Sequence, residues 1–79
     1  MNRIEITVPD IGLESEEIKF GSWLKAIGEA VDPGEDLFEI EADKATVVCE
    51  AMAGGTLAEI IVTGGDVRTG DVIGYLNAG

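Results

Sequence analysis

The stretch of sequence that decides the fold runs from Gly28 to Ile40 and reads GEAVDPGEDLFEI. Its glycines and apolar residues follow the frame G-x-x-V-x-x-G-x-x-(L/I)-x-x-(I/L), and the same frame returns between Gly64 and Leu76. Glycine permits turns at positive φ, and the apolar positions are suited to one shared core. The repeat therefore predicts two half-domains related by a pseudo-two-fold axis. The matching residues are Gly28, Val31, Gly34, Leu37 and Ile40 in the first copy and Gly64, Val67, Gly70, Ile73 and Leu76 in the second.

Short β-type runs alternate with turn residues along the whole chain, and glycine interrupts every long stretch. This pattern is typical of a β-sandwich or barrel. We therefore predict an all-β fold, with residues 1–79 as one domain, because a chain this short supports a single core. The predicted strands are Ile4–Val8, Glu17–Lys25, Asp36–Ala42, Ala45–Glu50, Thr56–Val62 and Val72–Leu76, with short strands at Ala30–Val31 and Asp66–Arg68.

The charge balance of the chain is strongly acidic. Sixteen Asp and Glu residues face five Lys and Arg residues, which gives a formal net charge of -11. A nucleic-acid partner requires the opposite sign to neutralise phosphates, and an anionic membrane surface would repel the chain. We therefore expect neither kind of partner. The charge suits solubility, and it also suits steering toward partners with basic patches.

Few residues in the chain could perform catalysis or bind a metal. There is no His and a single Cys, so a Ser/His or Cys/His pair, a zinc site of the usual kind and an intramolecular disulfide are all excluded. Cys49 lies in a predicted strand, where a buried and unreactive thiol is the expected state. Trp23 is expected to be a core aromatic residue. The chain is therefore not expected to be an enzyme by itself.

The repeat also predicts where the two ends of the domain lie. The first copy continues from Ile40 into Glu41-Ala42-Asp43, whereas the equivalent stretch of the second copy is Asn77-Ala78-Gly79. A two-fold relation would place the turn at Asp43 and Lys44 at one end of the domain. The termini would lie at the other end, so a group on Lys44 would project away from them.

Residues 41–48 read as strand, tight turn and strand, with Lys44 at the apex. Asp43 favours a turn because its carboxylate can bond to nearby backbone. Ala42 and Ala45 are small and leave the apex uncluttered. On this local spacing alone, a solvated surface lysine is the simpler interpretation.

The wider pattern resembles the lipoyl domains of dihydrolipoamide acyltransferases over nearly the whole chain. Three motifs carry the resemblance, and Gly55 adds to it because it stands eleven residues after Lys44, as a glycine does in the family. They are the V-P-D-I-G of residues 8–12, the W-L at Trp23 and Leu24 followed by the first copy of the repeat, and the D-K-A of residues 43–45.

The resemblance implies a fold, a cofactor and a role. The fold would be a flattened barrel, or barrel-sandwich hybrid, of two four-stranded antiparallel sheets. Lys44, flanked by Asp43 and Ala45, would be joined by an amide bond to lipoic acid by a lipoate–protein ligase. The resulting swinging arm would carry acyl groups between a thiamin-dependent 2-oxo acid decarboxylase, an acyltransferase core and dihydrolipoyl dehydrogenase. The isolated domain would be a monomer.

The resemblance also implies a recognition loop. In the family, the loop after the first strand helps the decarboxylase to recognise its own lipoyl domain. Here that loop would comprise Gly12, Leu13, Glu14, Ser15 and Glu16, although a plain solvated loop fits these residues equally well. Glu50 and Met52 stand where the family often has Pro, and the connection before Gly64 is one residue short. These departures concern loop shape and partner specificity.

Three alternatives stay open at this point. A biotinyl carrier shares the fold but flanks its lysine with Met, which Ala45 does not match. The glycine-cleavage carrier is longer and has additional helical structure. An unmodified β-barrel interaction module needs no lysine chemistry at all. A helical acyl carrier is excluded, because its D-S-L motif is absent.

The location of the protein follows from its first residues. Met1-Asn2-Arg3 leads directly into a strand-like alternation, and no apolar run approaches the roughly 20 residues of a membrane span. A bacterial or archaeal cytoplasm is therefore expected. The mitochondrial matrix would require a presequence that has been removed.

Overall fold

The computed structural model describes residues 2–10, 18–42 and 45–78, and its regular structure there is all β. In chain order the strands are β1 (Asn2–Thr7), β2 (Ile18–Trp23), β3 (Ala30–Val31), β4 (Asp36–Ala42), β5 (Ala45–Glu50), β6 (Gly55–Ile60), β7 (Asp66–Val67) and β8 (Val72–Ala78). They form two four-stranded antiparallel sheets, in the orders β1-β8-β6-β3 and β5-β4-β2-β7. This arrangement confirms the predicted all-β fold. Within the described ranges, no helix is long and apolar enough to cross a membrane.

The strand boundaries follow the predicted ones closely. β3, β4 and β5 have the predicted bounds, whereas the predicted strand at Thr56–Val62 lies instead at Gly55–Ile60. It ends early because the N–H groups of Ile61 and Val62 both donate to the carbonyl of Ile73, which turns the chain out of the ladder. β8 extends two residues past the predicted Leu76, because both of its neighbours pair with it beyond that point. Glu17 lies outside the described residues.

The predicted pseudo-two-fold relation is visible in the strand pairing. The ladder between β2 and β4 shifts register between Phe20 and Ser22, and the ladder between β6 and β8 does so between Leu57 and Glu59. The turns repeat as well: the Gly34 N–H donates to Ala51 at 2.9 Å, and the Gly70 N–H donates to Val8 at 2.8 Å. Two copies of one half-domain therefore build the fold.

The repeat is broken at one glycine. Gly28 has a φ of 94°, but in the second copy Gly65 takes the positive φ, at 84°, in place of the expected Gly64. The connection between β6 and β7 spans residues 61–65, one residue fewer than the connection between β2 and β3. Gly28 and Gly65 are each the fifth residue after the preceding strand, so the left-handed position is kept and the missing residue of the second connection falls after it.

The core lies between the two sheets and contains every apolar residue of the repeat. Trp23 packs against it, with its ring centroid 5.3 Å from that of Phe20 and 5.6 Å from that of Phe38. The indole is only half-buried, and its Nε1–H donates to the carbonyl of Val62 at 2.7 Å. Trp23 therefore covers the end of the core and ties β2 to the residues after β6. The buried repeat residues are Val31, Leu37, Ile40, Val67, Ile73 and Leu76.

Glu35 holds the turn between β3 and β4. Its carboxylate accepts a hydrogen bond from the Asp32 backbone N–H at 2.7 Å and one from Lys25 Nζ at 3.0 Å. The bond from Asp32 is the main cause that holds the pKa of Glu35 below its ordinary value of 4.5, and Lys25 acts in the same direction. The second copy repeats the arrangement, because Asp71 accepts from the Arg68 N–H at 2.9 Å.

Glu35→Gln should destabilise the domain at neutral pH but not in acid. A carboxyl with a lower pKa in the folded than in the unfolded chain stabilises the fold above its unfolded pKa. That contribution is lost as the pH falls through the folded pKa. Urea unfolding of the native and Glu35→Gln chains should therefore differ at pH 7 and converge below the folded pKa of Glu35. A difference that persists undiminished there would contradict this account.

Gly74→Ala should lower the free energy of unfolding by about 1–3 kcal/mol, the usual cost of overpacking. A Cβ at position 74 would lie 2.6 Å from the Glu59 carbonyl oxygen and 3.1 Å from the Trp23 ring. Gly64→Ala is the matched control, because nothing lies within 4 Å of its Cβ position and its φ is not left-handed. Urea unfolding should place the control within about 0.5 kcal/mol of the native chain, and equal losses would refute the packing argument.

Candidate functional site

The hairpin formed by β4 and β5 is the candidate site. The two strands stay paired up to the turn, where Ala42, the last residue of β4, pairs with Ala45, the first residue of β5. The sequence leaves two positions between these partners, Asp43 and Lys44, and both lie outside the described residues. The lysine predicted to carry lipoic acid thus belongs to a two-residue connection, and the strands on either side of it are paired up to that connection.

Beside the turn of the hairpin, the last residue of β4 is buried and the first residue of β5 is exposed. Ala42 is buried, with 1% of its surface exposed, and pairs with Ile18, itself 6% exposed. Ala45 begins the outer strand and is exposed. The two small side chains expected to flank the turn therefore differ in role. Ala42 packs the hairpin against β2, and Ala45 faces solvent without adding bulk.

The order of the strands places the turn of this hairpin at one end of the domain and the pair of Asn2 and Ala78 at the other. In the first sheet, Asn2 pairs with Ala78, and the neighbouring Asn77 pairs with the start of β6. The start of β6 also pairs with β3, so β3 lies at the same end of the sheet as Asn2. After β3 a tight turn leads directly into the start of β4. β4 then runs away for seven residues, or roughly 20 Å at about 3.3 Å per residue. The paired ends of the hairpin strands therefore lie at the other end of the domain from Asn2 and Ala78, while the predicted positions of Lys44 and of the chain termini stay a prediction.

The predicted recognition loop comes before β2 in the chain, and β2 is the strand that pairs with β4 of the hairpin. Gly12, Leu13, Glu14, Ser15 and Glu16 lie outside the described residues, so their role stays a prediction. The chain re-enters the described region at Ile18, the residue that pairs with Ala42.

The described part of the site contains no catalytic or metal-binding group. No set of three His, Cys, Asp or Glu residues able to hold a metal occurs among the residues that the structure describes. Cys49, in β5, is 6% exposed, and burial raises the pKa of its thiol. The thiol therefore stays protonated and unreactive at neutral pH, as the sequence predicted. The hairpin is suited to presenting a group, and any chemistry would come from what it presents.

Sequence reasoning missed two features around the hairpin. One is the support of Ala42 by Ile18, which depends on the alignment of β2 with β4. The other is an apolar groove between β1 and β5, two strands that are far apart in sequence. The only sequence signal for the groove was the pair of departures at Glu50 and Met52, which were interpreted as changes in loop shape.

Comparison with known proteins identifies the family. The biotin/lipoyl family model, described as "Biotin-requiring enzyme", matches residues 4–76. The solution structure of the lipoyl domain of the 2-oxoglutarate dehydrogenase complex from Azotobacter vinelandii superposes with a TM-score of 0.74 at 34% identity. That likeness covers 96% of this chain and 98% of the other.

Longer relatives agree with this likeness. The dihydrolipoyllysine-residue succinyltransferase component of the 2-oxoglutarate dehydrogenase complex from Bartonella vinsonii subsp. berkhoffii is 42% identical over 95% of this chain and 18% of its own length. An acetyltransferase component of the mitochondrial pyruvate dehydrogenase complex from Arabidopsis thaliana is 42% identical over 87% of this chain and 13% of its own length. The chain thus spans less than a fifth of the length of these relatives.

The chain therefore belongs to the biotin/lipoyl family. Within that family it is a lipoyl carrier domain, of the type found in the acyltransferase components of 2-oxo acid dehydrogenase complexes, and not a catalytic domain by itself. The two antiparallel sheets and the paired hairpin strands are the features of this structure that agree with the assignment.

Ala42→Asp should destabilise the hairpin strongly, and Ala45→Asp should not. A carboxylate at position 42 would be buried without a partner, which costs on the order of 2–5 kcal/mol. Position 45 is exposed, so the same substitution should stay within about 0.5 kcal/mol. Urea unfolding of the two variants measures the difference. Equal stability would show that Ala42 does not seat the hairpin on β2.

Proposed function

We propose that Lys44 is the attachment point of lipoic acid and that residues 1–79 act as one swinging-arm carrier unit. The observation that carries the proposal is the pairing of Ala42 with Ala45, which leaves only Asp43 and Lys44 between two closed strands. In a connection of only two residues, the Lys44 amine would stand within reach of a modifying enzyme.

The surroundings of the connection fit an attached group. The small Ala45 on the solvent side adds no bulk beside the lysine, and the buried Ala42 holds the strand that leads to it. Asp43 would favour a tight turn, because the carboxylate of an Asp can bond to the backbone nearby. Lipoic acid bound here would supply a dithiolane that accepts an acyl group as its ring is reduced. The residues of the chain would hold and present that group.

The separation of the hairpin from Asn2 and Ala78 supports a carrier role. Any polypeptide joined at those residues would leave from the end opposite the hairpin, so it would not hinder the lysine. A domain held in this way raises the local concentration of its arm at several enzyme sites without new contacts. The family match over residues 4–76 supports treating the whole chain as the functional unit.

The proposed partners follow from the chemistry of such an arm. A lipoate–protein ligase would attach the group, and a thiamin-dependent 2-oxo acid decarboxylase would load it. An acyltransferase core would receive the acyl group, and dihydrolipoyl dehydrogenase would reoxidise the dithiol. The relatives that are named as succinyltransferase or acetyltransferase components of dehydrogenase complexes support this set.

Lipoylation in vitro should add one lipoyl group to the chain. The purified chain is incubated with lipoate–protein ligase, ATP and lipoic acid, and its mass is measured before and after. The gain should vanish in Lys44→Ala, because no amine is left between β4 and β5. Lys19→Ala is the matched control, because Lys19 is an exposed lysine on the neighbouring strand β2, and it should be modified fully.

Two results would contradict the proposal. One is a folded native chain that gains no lipoyl group, and the other is a Lys44→Ala chain that still gains one. A biotin ligase assay run in parallel tests the biotinyl alternative, since modification by biotin at Lys44 and not by lipoate would reassign the carrier.

A further inference from the structure

An apolar groove of about 480 Å³ lies between the outer strands of the two sheets. β1 forms one wall and β5 forms the other, and we call it the β1–β5 groove. Its size falls within the range of ordinary binding pockets. The lining residues that matter below are the apolar Ile4, Val47, Val48 and Met52 and the acidic Glu5 and Glu50.

Both walls of the groove are unpaired sheet edges. Among the described strands, β1 pairs only with β8 and β5 pairs only with β4. Alternate residues of an edge strand direct backbone N–H and C=O groups outward, where another strand can pair with them. The opposite edges are protected by their length, since β3 and β7 have two residues each. The six-residue edge of β5 has no such protection.

The composition of β5 leaves its edge open. Proteins commonly shield a long edge with Lys, Pro or an inward-pointing charge. β5 reads ATVVCE and has no charge before Glu50. Val48 and Met52 also expose 44% and 95% of their surface, so apolar side chains stand at the mouth of the groove.

The charged residues described along the groove are acidic. Glu5 and Glu50 line it, and Asp36 lies directly opposite Glu50 on β4, where it is exposed as well. These three carboxylates have no hydrogen-bond or ion-pair partner among the described residues. Like charges directly opposite each other on neighbouring strands are unfavourable, so a cationic ligand would relieve the repulsion.

We infer that the β1–β5 groove binds an extended segment of a partner protein with alternating apolar and basic residues, which pairs as an added strand with the edge of β5. The apolar residues would fill the groove, and the basic residues would meet Glu5, Glu50 and Asp36. Backbone pairing would supply affinity, and the alternate side chains would supply specificity. A second copy of this chain is disfavoured as the occupant, because each copy carries a formal net charge of -11.

This inference is independent of the proposed lipoylation, and the test uses the unmodified 79-residue chain. The probe is a fluorescein-labelled peptide of alternating valine and lysine, and its binding is followed by fluorescence anisotropy. Amide hydrogen exchange, read by NMR, is measured with and without the peptide. Binding should protect amides of β5 from exchange, and a peptide of alternating valine and glutamate should not bind.

Charge-reversal variants separate groove binding from general attraction. Glu50→Lys should weaken binding by at least about tenfold, because like charges would then meet across the interface. Glu5→Lys tests the opposite wall and should weaken binding in the same way. Asp66→Lys is the matched control, because it makes the same change of charge on the exposed far edge at β7, and it should change binding by less than about twofold.

Several results would overturn the inference. They are no binding of the valine–lysine peptide, equal weakening by Glu50→Lys and Asp66→Lys, and protection that appears on strands other than β1 and β5. Self-association of the unmodified chain in sedimentation, abolished by Glu50→Lys, would also overturn it, since a second copy would then be the occupant.

Discussion

The burial of the apolar residues of β4 and β8 in one core is the constraint on which the rest of the structure depends. Leu37 and Ile40 on the first strand, and Ile73 and Leu76 on the second, are almost completely excluded from solvent. Each such side chain contributes roughly 1.5–3 kcal/mol on leaving water. Along β4, buried residues alternate with more exposed ones from Phe38 onward, so a slip of one residue would turn those buried side chains outward. The register of both sheets is therefore strongly specified, and with it the position at which each hairpin closes.

This register is what makes the domain suitable as a carrier. Because β4 is locked in place by its core residues, the pairing of Ala42 with Ala45 cannot drift, and a connection of two residues follows. The pseudo-two-fold relation assigns the equivalent place in the other sheet to the pair of Asn2 and Ala78. The same packing thus fixes both the closed end of the hairpin and the pairing of Asn2 with Ala78. The acidic surface would attract basic partners, and the edge of β5 is the surface on which the inferred partner segment would pair.

Much of the fold could be predicted because the signal was local or repeated. Asp36–Ala42 and Ala45–Glu50 could be predicted as strands because they are short β-type runs next to turn residues, and these bounds were correct. The five matched positions of the repeat predicted the pseudo-symmetry. The positive φ of Gly65 could not be predicted, because a glycine stands at both 64 and 65 and the choice depends on where β6 ends in its pairing with β8. The late end of β8 depends likewise on its two pairing partners.

The sequence by itself determined the strand faces, the repeat and the placement of a lysine between two short β-strands. These properties follow from the two-residue period of a strand and from the turn chemistry of glycine and aspartate, both of which act over a few neighbouring residues. Only the tertiary structure decided that β1 and β5 face each other across a groove, and that Asp36 lies opposite Glu50. Those juxtapositions depend on how two sheets pack and which edges remain unpaired, and no local pattern in the chain encodes them.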